Sequence, residues 1–136
     1  MKRRDLLKTT PLLAAAQFLG ATAPKLPDVV IDPAKAKVTR APFGETRIYF
    51  DGPTSQVHAM TAGSLRLNPG MVPHPPHQHP EEEFIVIAEG TGEITIAGKP
   101  YNVGPGAMMY CEGGKLHGIT NTGKAPMLFY FYKWKA

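Results

Sequence analysis

From Glu45 onward, the sequence consists of short apolar or alternating segments, each separated from the next by a cluster of turn-forming residues. In EITIAG (93–98), the alternation places Ile94 and Ile96 on one face of a strand. Glycine and proline, 14 of each in 136 residues, supply turn signals such as NPG and VGPG. No segment after residue 24 keeps helical spacing over three turns. Many short strands between turns predict an all-β barrel or sandwich.

Two of these segments are apolar on both faces of the strand that they predict. FIVIA (84–88) and MLFYFY (127–132) leave no face for solvent, and strands of this kind are covered on both sides. One cover is the interior of the barrel. The other is a second subunit or the N-terminal arm, so the pattern favours a homodimer.

The chain length fits one domain preceded by an N-terminal extension. Residues 1–23 combine a basic start, the apolar run PLLAAAQFLG and the small residues ATA, which is typical of a targeting segment. The apolar run is too short to span a bilayer. Residues 24–44, rich in Pro, Ala and Lys, are predicted as an extended arm or linker, and residues 45–136 as the barrel.

The leader also indicates a destination. Arg3 and Arg4, followed by Leu6, Leu7 and Lys8, resemble a bacterial twin-arginine signal, which implies export to the periplasm or another extracytoplasmic compartment. Pro24 follows ATA directly, and proline after the scissile bond is disfavoured by signal peptidases. A leader that stays attached would tether the protein to the membrane.

The charge distribution argues against a nucleic-acid-binding protein, and the single cysteine excludes a domain held together by internal disulfides. Four of the 15 basic residues and one of the 11 acidic residues lie in the leader, which leaves 11 basic against 10 acidic residues. A nearly neutral domain gives no sign of nucleic-acid binding. Cys111 is the single cysteine, so no disulfide can form within the chain, and its neighbours MMYC predict a buried strand with an unreactive thiol.

The stretch HPPHQHPEEEF (74–84) is the part of the sequence that indicates chemistry. His77 and His79 are two residues apart, so on an extended strand their imidazoles project from the same face. Two imidazole nitrogens and one carboxylate suit Mn, Fe, Co, Ni, Cu or Zn. The composition of the stretch does not choose among Glu81, Glu82 and Glu83 as the carboxylate.

A resemblance to the cupin family extends over about residues 45–134. Its first motif is matched by a glycine, His-x-His, a glutamate and a second glycine: Gly70, His77, His79, Glu83 and Gly90. Its second motif is matched by Gly106, Gly114, His117 and Asn121. The resemblance implies a double-stranded β-helix, the cupin jelly-roll barrel. It also implies one divalent transition metal (Fe, Mn, Ni, Zn, Cu or Co) held by His77, His79, Glu83 and His117.

The other candidate residues fall into two groups. His74, Glu81 and Glu82 are interpreted as residues of the pocket rim, and Asn121 as a turn and strand residue. The predicted lining of a substrate pocket consists of Met60, Ile85, Ile87, Met108, Tyr110, Phe129 and Phe131. Such an apolar lining suits a small aromatic or enolisable molecule. No Arg or Lys lies near the histidine cluster in the sequence, which argues against an organic-acid decarboxylase or a phosphosugar isomerase.

Four ligands leave up to two positions open on a six-coordinate ion, and open positions distinguish a catalytic metal from a structural one. The leading hypothesis is an exported metal-binding cupin that acts on a small organic molecule, in the manner of a dioxygenase. Two alternatives are a non-catalytic binding or sensing module and an O2-independent metal-dependent lyase or isomerase.

The leader gives a prediction about metal selection. Twin-arginine routes carry folded proteins, so the barrel would take up Mn or Fe in the cytoplasm before it meets copper and zinc, which bind nitrogen and oxygen sites more tightly. Rerouting the protein through a signal for unfolded export is expected to change the bound metal. Elemental analysis of the protein from both routes tests this, and the same metal from each would contradict it.

Overall fold

Residues 23–136 are described by a computed structural model. The leader predicted at residues 1–23 therefore lies, except for Ala23, outside the described residues. Within residues 23–136, no helix has the length and apolarity that crossing a membrane requires. These residues form nine strands: β1 Lys37–Ala41, β2 Gly44–Gly52, β3 Ala59–Leu67, β4 Glu82–Glu89, β5 Gly92–Ile96, β6 Lys99–Val103, β7 Met108–Cys111, β8 His117–Asn121 and β9 Met127–Lys135.

The nine strands form two antiparallel sheets. One has six strands in the order β1-β2-β3-β9-β4-β7, and the other has three in the order β6-β5-β8. In the larger sheet, β4 and β9 lie next to each other although about 40 residues separate them in the chain. This arrangement is the jelly-roll barrel that the resemblance implies, and the all-β fold class predicted from the sequence is confirmed.

The core lies between the sheets because strand alternation turns every second side chain inward. In β9, Met127, Phe129 and Phe131 are buried, while the intervening side chains are more exposed. In β4, Ile85 pairs with Phe131, and Ile87 pairs with Phe129. Both strands therefore direct their apolar residues to the same interior.

The segment predicted as an arm contains part of the sheet. Its residues from Lys37 to Ala41 form β1, which pairs with β2 along its whole length, so the sheet begins before residue 45. The alternation in KVTRA is weak because β1 is an edge strand and buries no side chain completely. Before it, the backbone N–H of Leu26 donates to the carbonyl of Pro53 at 2.9 Å, and Pro33–Lys35 form one 3-10 turn.

Asn121 connects the end of β8 to two other parts of the barrel. Its side chain is fully buried. The Nδ2 group donates to the carbonyls of Leu67 and Ala125, each at 2.9 Å, and Oδ1 accepts from the N–H of Gly123 at 2.9 Å. Asn121 is thus a structural residue that fixes the end of β3 against the turn between β8 and β9.

Replacing Asn121 by alanine is expected to reduce the free energy of unfolding by about 3 kcal/mol. Three hydrogen bonds of about 1 kcal/mol each are lost, and buried backbone groups lose their partners. The melting temperature should fall by roughly 10 °C, measured by thermal denaturation. Asn102→Ala, at an exposed position of β6, is the matched control. Equal melting temperatures for the two variants would contradict the structural role of Asn121.

Candidate metal centre

Two elements and one loop bring the candidate ligands together. Glu83 is the second residue of β4, and His117 is the first residue of β8. His77 and His79 lie in the loop between β3 and β4. The backbones of His77 and His117 exchange two hydrogen bonds of 2.9 Å, which fixes this loop against the start of β8.

Two glycines allow the second half of the site to approach the first. The N–H of Gly114 donates to the carbonyl of His79 at 2.7 Å, and Gly114 has a φ of +82°, a conformation that costs most other residues free energy. At Gly113, an added Cβ would lie 2.3 Å from the carbonyl oxygen of Pro80. The sequence EGGKLH before β8 therefore has a steric reason for both glycines.

The four side chains converge on one point. Their potential ligand atoms all lie within 4.8 Å of one another. Glu83 Oε2 is 2.8 Å from His117 Nε2 and 3.1 Å from His79 Nε2. The rings of His77, His79 and His117 stand at 71–85° to one another. Donors that approach a common centre from different directions fit the coordination of one ion.

Backbone carbonyls orient two of the imidazoles. His117 Nδ1 lies 2.9 Å from the carbonyl of Lys115, and His79 Nδ1 lies 3.1 Å from that of Glu81. A carbonyl only accepts, so each ring keeps its proton on Nδ1 and turns the lone pair of Nε2 toward Glu83. Two lone pairs facing a carboxylate oxygen need a cation between them, either added protons or a metal ion. Histidines that bind a metal commonly donate their other ring N–H to a backbone carbonyl in this way.

The pKa values follow from the same contacts. Burial, aided by the neighbouring His74, His117 and His79, lowers the pKa of His77 to about 4, so this ring is neutral near pH 7. Burial would raise the pKa of Glu83, but the hydrogen bonds and charges of His117 and His79 outweigh it and lower the pKa. A neutral imidazole and an ionised carboxylate are the forms that bind a metal.

The remaining polar residues of HPPHQHPEEEF lie outside the cluster. Glu81 Oε2 lies 3.2 Å from Nδ1 of His79, the nitrogen that does not face Glu83. Glu82 accepts a hydrogen bond of 2.7 Å from the hydroxyl of Tyr110 on the outer face of the sheet. His74 stacks on His77, with ring centroids 3.8 Å apart. Glu83 is thus the glutamate that the structure brings to the three histidines.

A cavity opens beside the cluster. It offers about 130 Å³ of room, close to the roughly 150 Å³ that holds a benzene molecule in an engineered apolar cavity. His77, Glu83, His117 and Lys133 contribute to its polar part, and His74 lies at the same cavity. The apolar wall consists of Leu65, Pro73, Ile85, Ile119, Phe129 and Phe131.

The predicted pocket residues divide according to the face on which they lie. Ile85, Phe129 and Phe131 line the cavity, and Ile87 is buried in the core behind it. The prediction for Met108 and Tyr110 needs correction: they are 66% and 51% exposed, because alternation in β7 turns Met109 and Cys111 inward instead. Met60 is also corrected, since it lines a different cavity next to residues 25–29.

Lys133 is the lining residue that most changes the expectation from the sequence. No lysine or arginine lies in the stretch 74–84, yet Lys133 pairs with Glu83 across β9 and β4 and lines the cavity. One signal was available, because Met127, Phe129 and Phe131 set an alternation whose next inward position is 133. The sequence pattern gave no comparable indication that Thr46, Leu65 and Ile119 also line the cavity.

Cys111 lies next to a candidate ligand but outside the cavity. Its Sγ is 3.5 Å from His117 Nδ1, and the residue is only 2% exposed. Burial, together with the charge of Glu83, raises the pKa of the thiol. The thiol therefore stays protonated near pH 7 and packs behind His117.

The comparisons with known proteins agree with this site. The family model described as "Cupin domain" (Cupin_2) matches residues 63–132, which include all four candidate ligands. The chain belongs to the cupin family, and the resemblance inferred from the two motifs is confirmed. The His-His-Glu-His cluster in a cupin barrel fits metal binding.

Several relatives are similar over part or most of the chain. A dimethylsulfoniopropionate lyase, DddW from Ruegeria pomeroyi, is 32% identical over 78 residues, which are 56% of this chain and 51% of the relative. The chain thus matches about half the length of this curated relative. Among solved structures, a protein from Thermotoga maritima described as a predicted oxalate decarboxylase is 20% identical, with a TM-score of 0.65 over 79% of this chain and 100% of the other. An RmlC-like cupin from Shewanella frigidimarina is 11% identical, with a TM-score of 0.63 over 78% and 89%. The likeness to these two structures is one of fold.

Removing one ligand is expected to weaken metal binding by more than about 100-fold. Replacing a residue that only hydrogen-bonds to a ligand already lowers metal affinity by roughly 10- to 100-fold. His77→Ala, His117→Ala and Glu83→Gln should lose the metal on dialysis, as measured by elemental analysis of the purified protein. His58→Ala, at an exposed position just before β3 and so at the opposite end of that strand from the loop, should keep it. Stoichiometric metal in the first two variants would refute the ligand assignment.

Proposed function

We propose that this cupin is a metal-dependent enzyme that acts on a small organic molecule bound in the cavity. The observation that carries the proposal is that three of the four candidate ligands, His77, Glu83 and His117, line a cavity whose other lining residues are mostly apolar. A bound divalent ion would supply Lewis acidity, or electrons if it is redox-active, to a ligand atom in its open coordination positions.

The residues of the chain divide the remaining tasks. Ile85, Phe129 and Phe131 give the cavity an apolar lining that excludes water, and exclusion of water strengthens each polar contact inside. The small volume favours a small substrate. His74 stacks on His77 and also lines the cavity.

Among reaction classes, an O2-independent lyase receives the most support. The relative with 32% identity is a dimethylsulfoniopropionate lyase, and Lys133 places a cation where an acidic substrate needs one. Dioxygenation, the leading expectation from the sequence, is the second candidate. It is favoured by the apolar wall, which suits an aromatic or enolisable molecule.

The cofactor that we propose is a single divalent transition metal. Three borderline imidazole nitrogens together with one carboxylate oxygen suit Mn, Fe, Co, Ni, Cu or Zn. The donor set disfavours Mg and Ca, which prefer oxygen ligands alone. The choice among the transition metals then depends on the compartment in which the barrel folds.

Export and dimerisation complete the proposal. The twin-arginine-like leader supports a periplasmic or other extracytoplasmic location, with a membrane tether if the leader is kept. Exposed apolar side chains on the outer face of the larger sheet support a homodimer that covers them. These side chains are Phe84, Met108, Tyr110 and Tyr132.

Turnover with and without oxygen separates the reaction classes. We expect the protein loaded with Fe or Mn to consume dimethylsulfoniopropionate or a related small acid under anaerobic conditions, measured as substrate loss by NMR. His117→Ala is the inactive control, because it removes a ligand while leaving the apolar wall intact. Parallel assays record O2 uptake with catechols, flavonols and β-diketones.

Each outcome assigns a class. Substrate loss without O2 supports the lyase, and stoichiometric O2 uptake supports the dioxygenase. Tight retention of a ligand with no turnover under either condition would overturn the proposal that the protein is an enzyme and would favour a binding or sensing module.

A further inference from the structure

Lys133 occupies a position where the strand pattern calls for an apolar residue. In β9, the inward side chains Met127, Phe129 and Phe131 are 0%, 3% and 9% exposed. Lys133 is the next residue in this inward row, and it is partly buried. A partly buried lysine loses part of the hydration of its ammonium group. A cation at this inward position is therefore stable only with a partner of opposite charge.

The described part of the chain does not supply that partner. Lys133 pairs in register with Glu83 of β4. However, the contacts of Glu83 below 4.0 Å are with His79 and His117, and no described carboxylate lies within that distance of the Lys133 ammonium. Among the described residues that line the cavity, Lys133 is the one lysine or arginine.

The charge balance of the cavity points in the same direction. With neutral imidazoles, Glu83 cancels one charge of a divalent ion, so the ion and Lys133 together leave an excess of about two positive charges. An apolar wall makes this excess costly. An anionic ligand that reaches both centres would offset it.

We propose that Lys133 binds the carboxylate of a small substrate that carries a single carboxylate group, whose remaining atoms lie between the metal centre and the apolar wall. The Lys133 ammonium offers three N–H donors to a carboxylate. A phosphate dianion would call for more donors than the lining provides. This inference rests on the proposed function, since it assigns the substrate class of the same cavity.

The test compares two probes of nearly equal shape, propionate and propionamide, which differ in charge. Their binding to the zinc-loaded protein is measured by saturation-transfer NMR and calorimetry, so no turnover is required. Wild type should bind propionate more tightly than propionamide. Lys133→Met, which keeps the length of the side chain without its charge, should lose roughly tenfold in propionate affinity, as expected for loss of a charge-assisted hydrogen bond.

Three controls make the test specific. Lys135→Met, two residues along the same strand at an exposed position, should bind both probes as wild type does. Lys133→Arg should retain most of the preference for propionate, because it retains the charge. Elemental analysis should find equal zinc in all four proteins, which separates an effect on the ligand from an effect on the metal.

The proposal is overturned if wild type shows no preference for propionate, or if Lys133→Met keeps that preference. If Lys133→Met fails to fold, the same comparison is made with Lys133→Gln. A preference that depends on Lys133 in a protein without turnover would support the carboxylate site while the enzymatic proposal fails. Turnover of uncharged substrates alone would support the enzymatic proposal and overturn the carboxylate site.

Discussion

A buried carboxylate surrounded by three imidazoles is the interaction on which the rest of the site depends. Glu83 is 7% exposed and lies within 3.1 Å of two Nε2 atoms whose rings are oriented by backbone carbonyls. Buried charge is costly unless it is paired, so this cluster is stable only with a cation or with bound protons. The paired backbone hydrogen bonds between His77 and His117 hold the donors in place for that purpose.

The strands that carry this cluster also shape the space beside it. Inward alternation in β4 places Glu83, Ile85 and Ile87 in one row, and in β9 it places Phe129, Phe131 and Lys133 in another. Each row changes from apolar to polar toward the same end of the barrel. The cavity therefore has a charged end at the ligands and an apolar end in the core, which is an arrangement that orients a small amphipathic molecule.

Membership of the cupin family accounts for the barrel and the four converging side chains, but the reaction depends on what surrounds them. The same fold supports many reactions, so function has to be argued from the site. In this chain, the distinguishing features are the small volume, the wall formed by Leu65, Ile119 and Phe129, and the lysine opposite Glu83. These features favour a small acid over a large or polyanionic substrate.

The sequence by itself determined the strand-and-turn pattern and the pairing of His77 with His79, because alternation is a local property of the chain. The jelly-roll barrel and the four candidate ligands followed from the resemblance of its two motifs to those of the cupin family. The sequence did not place Met108 and Tyr110 correctly, since apolar character does not say which face of β7 points inward. It also missed the strand in KVTRA, whose edge position leaves little hydrophobic signal. Only the tertiary structure decided that Lys133, 50 residues beyond Glu83, lies at the same cavity, because that depends on the register between β4 and β9.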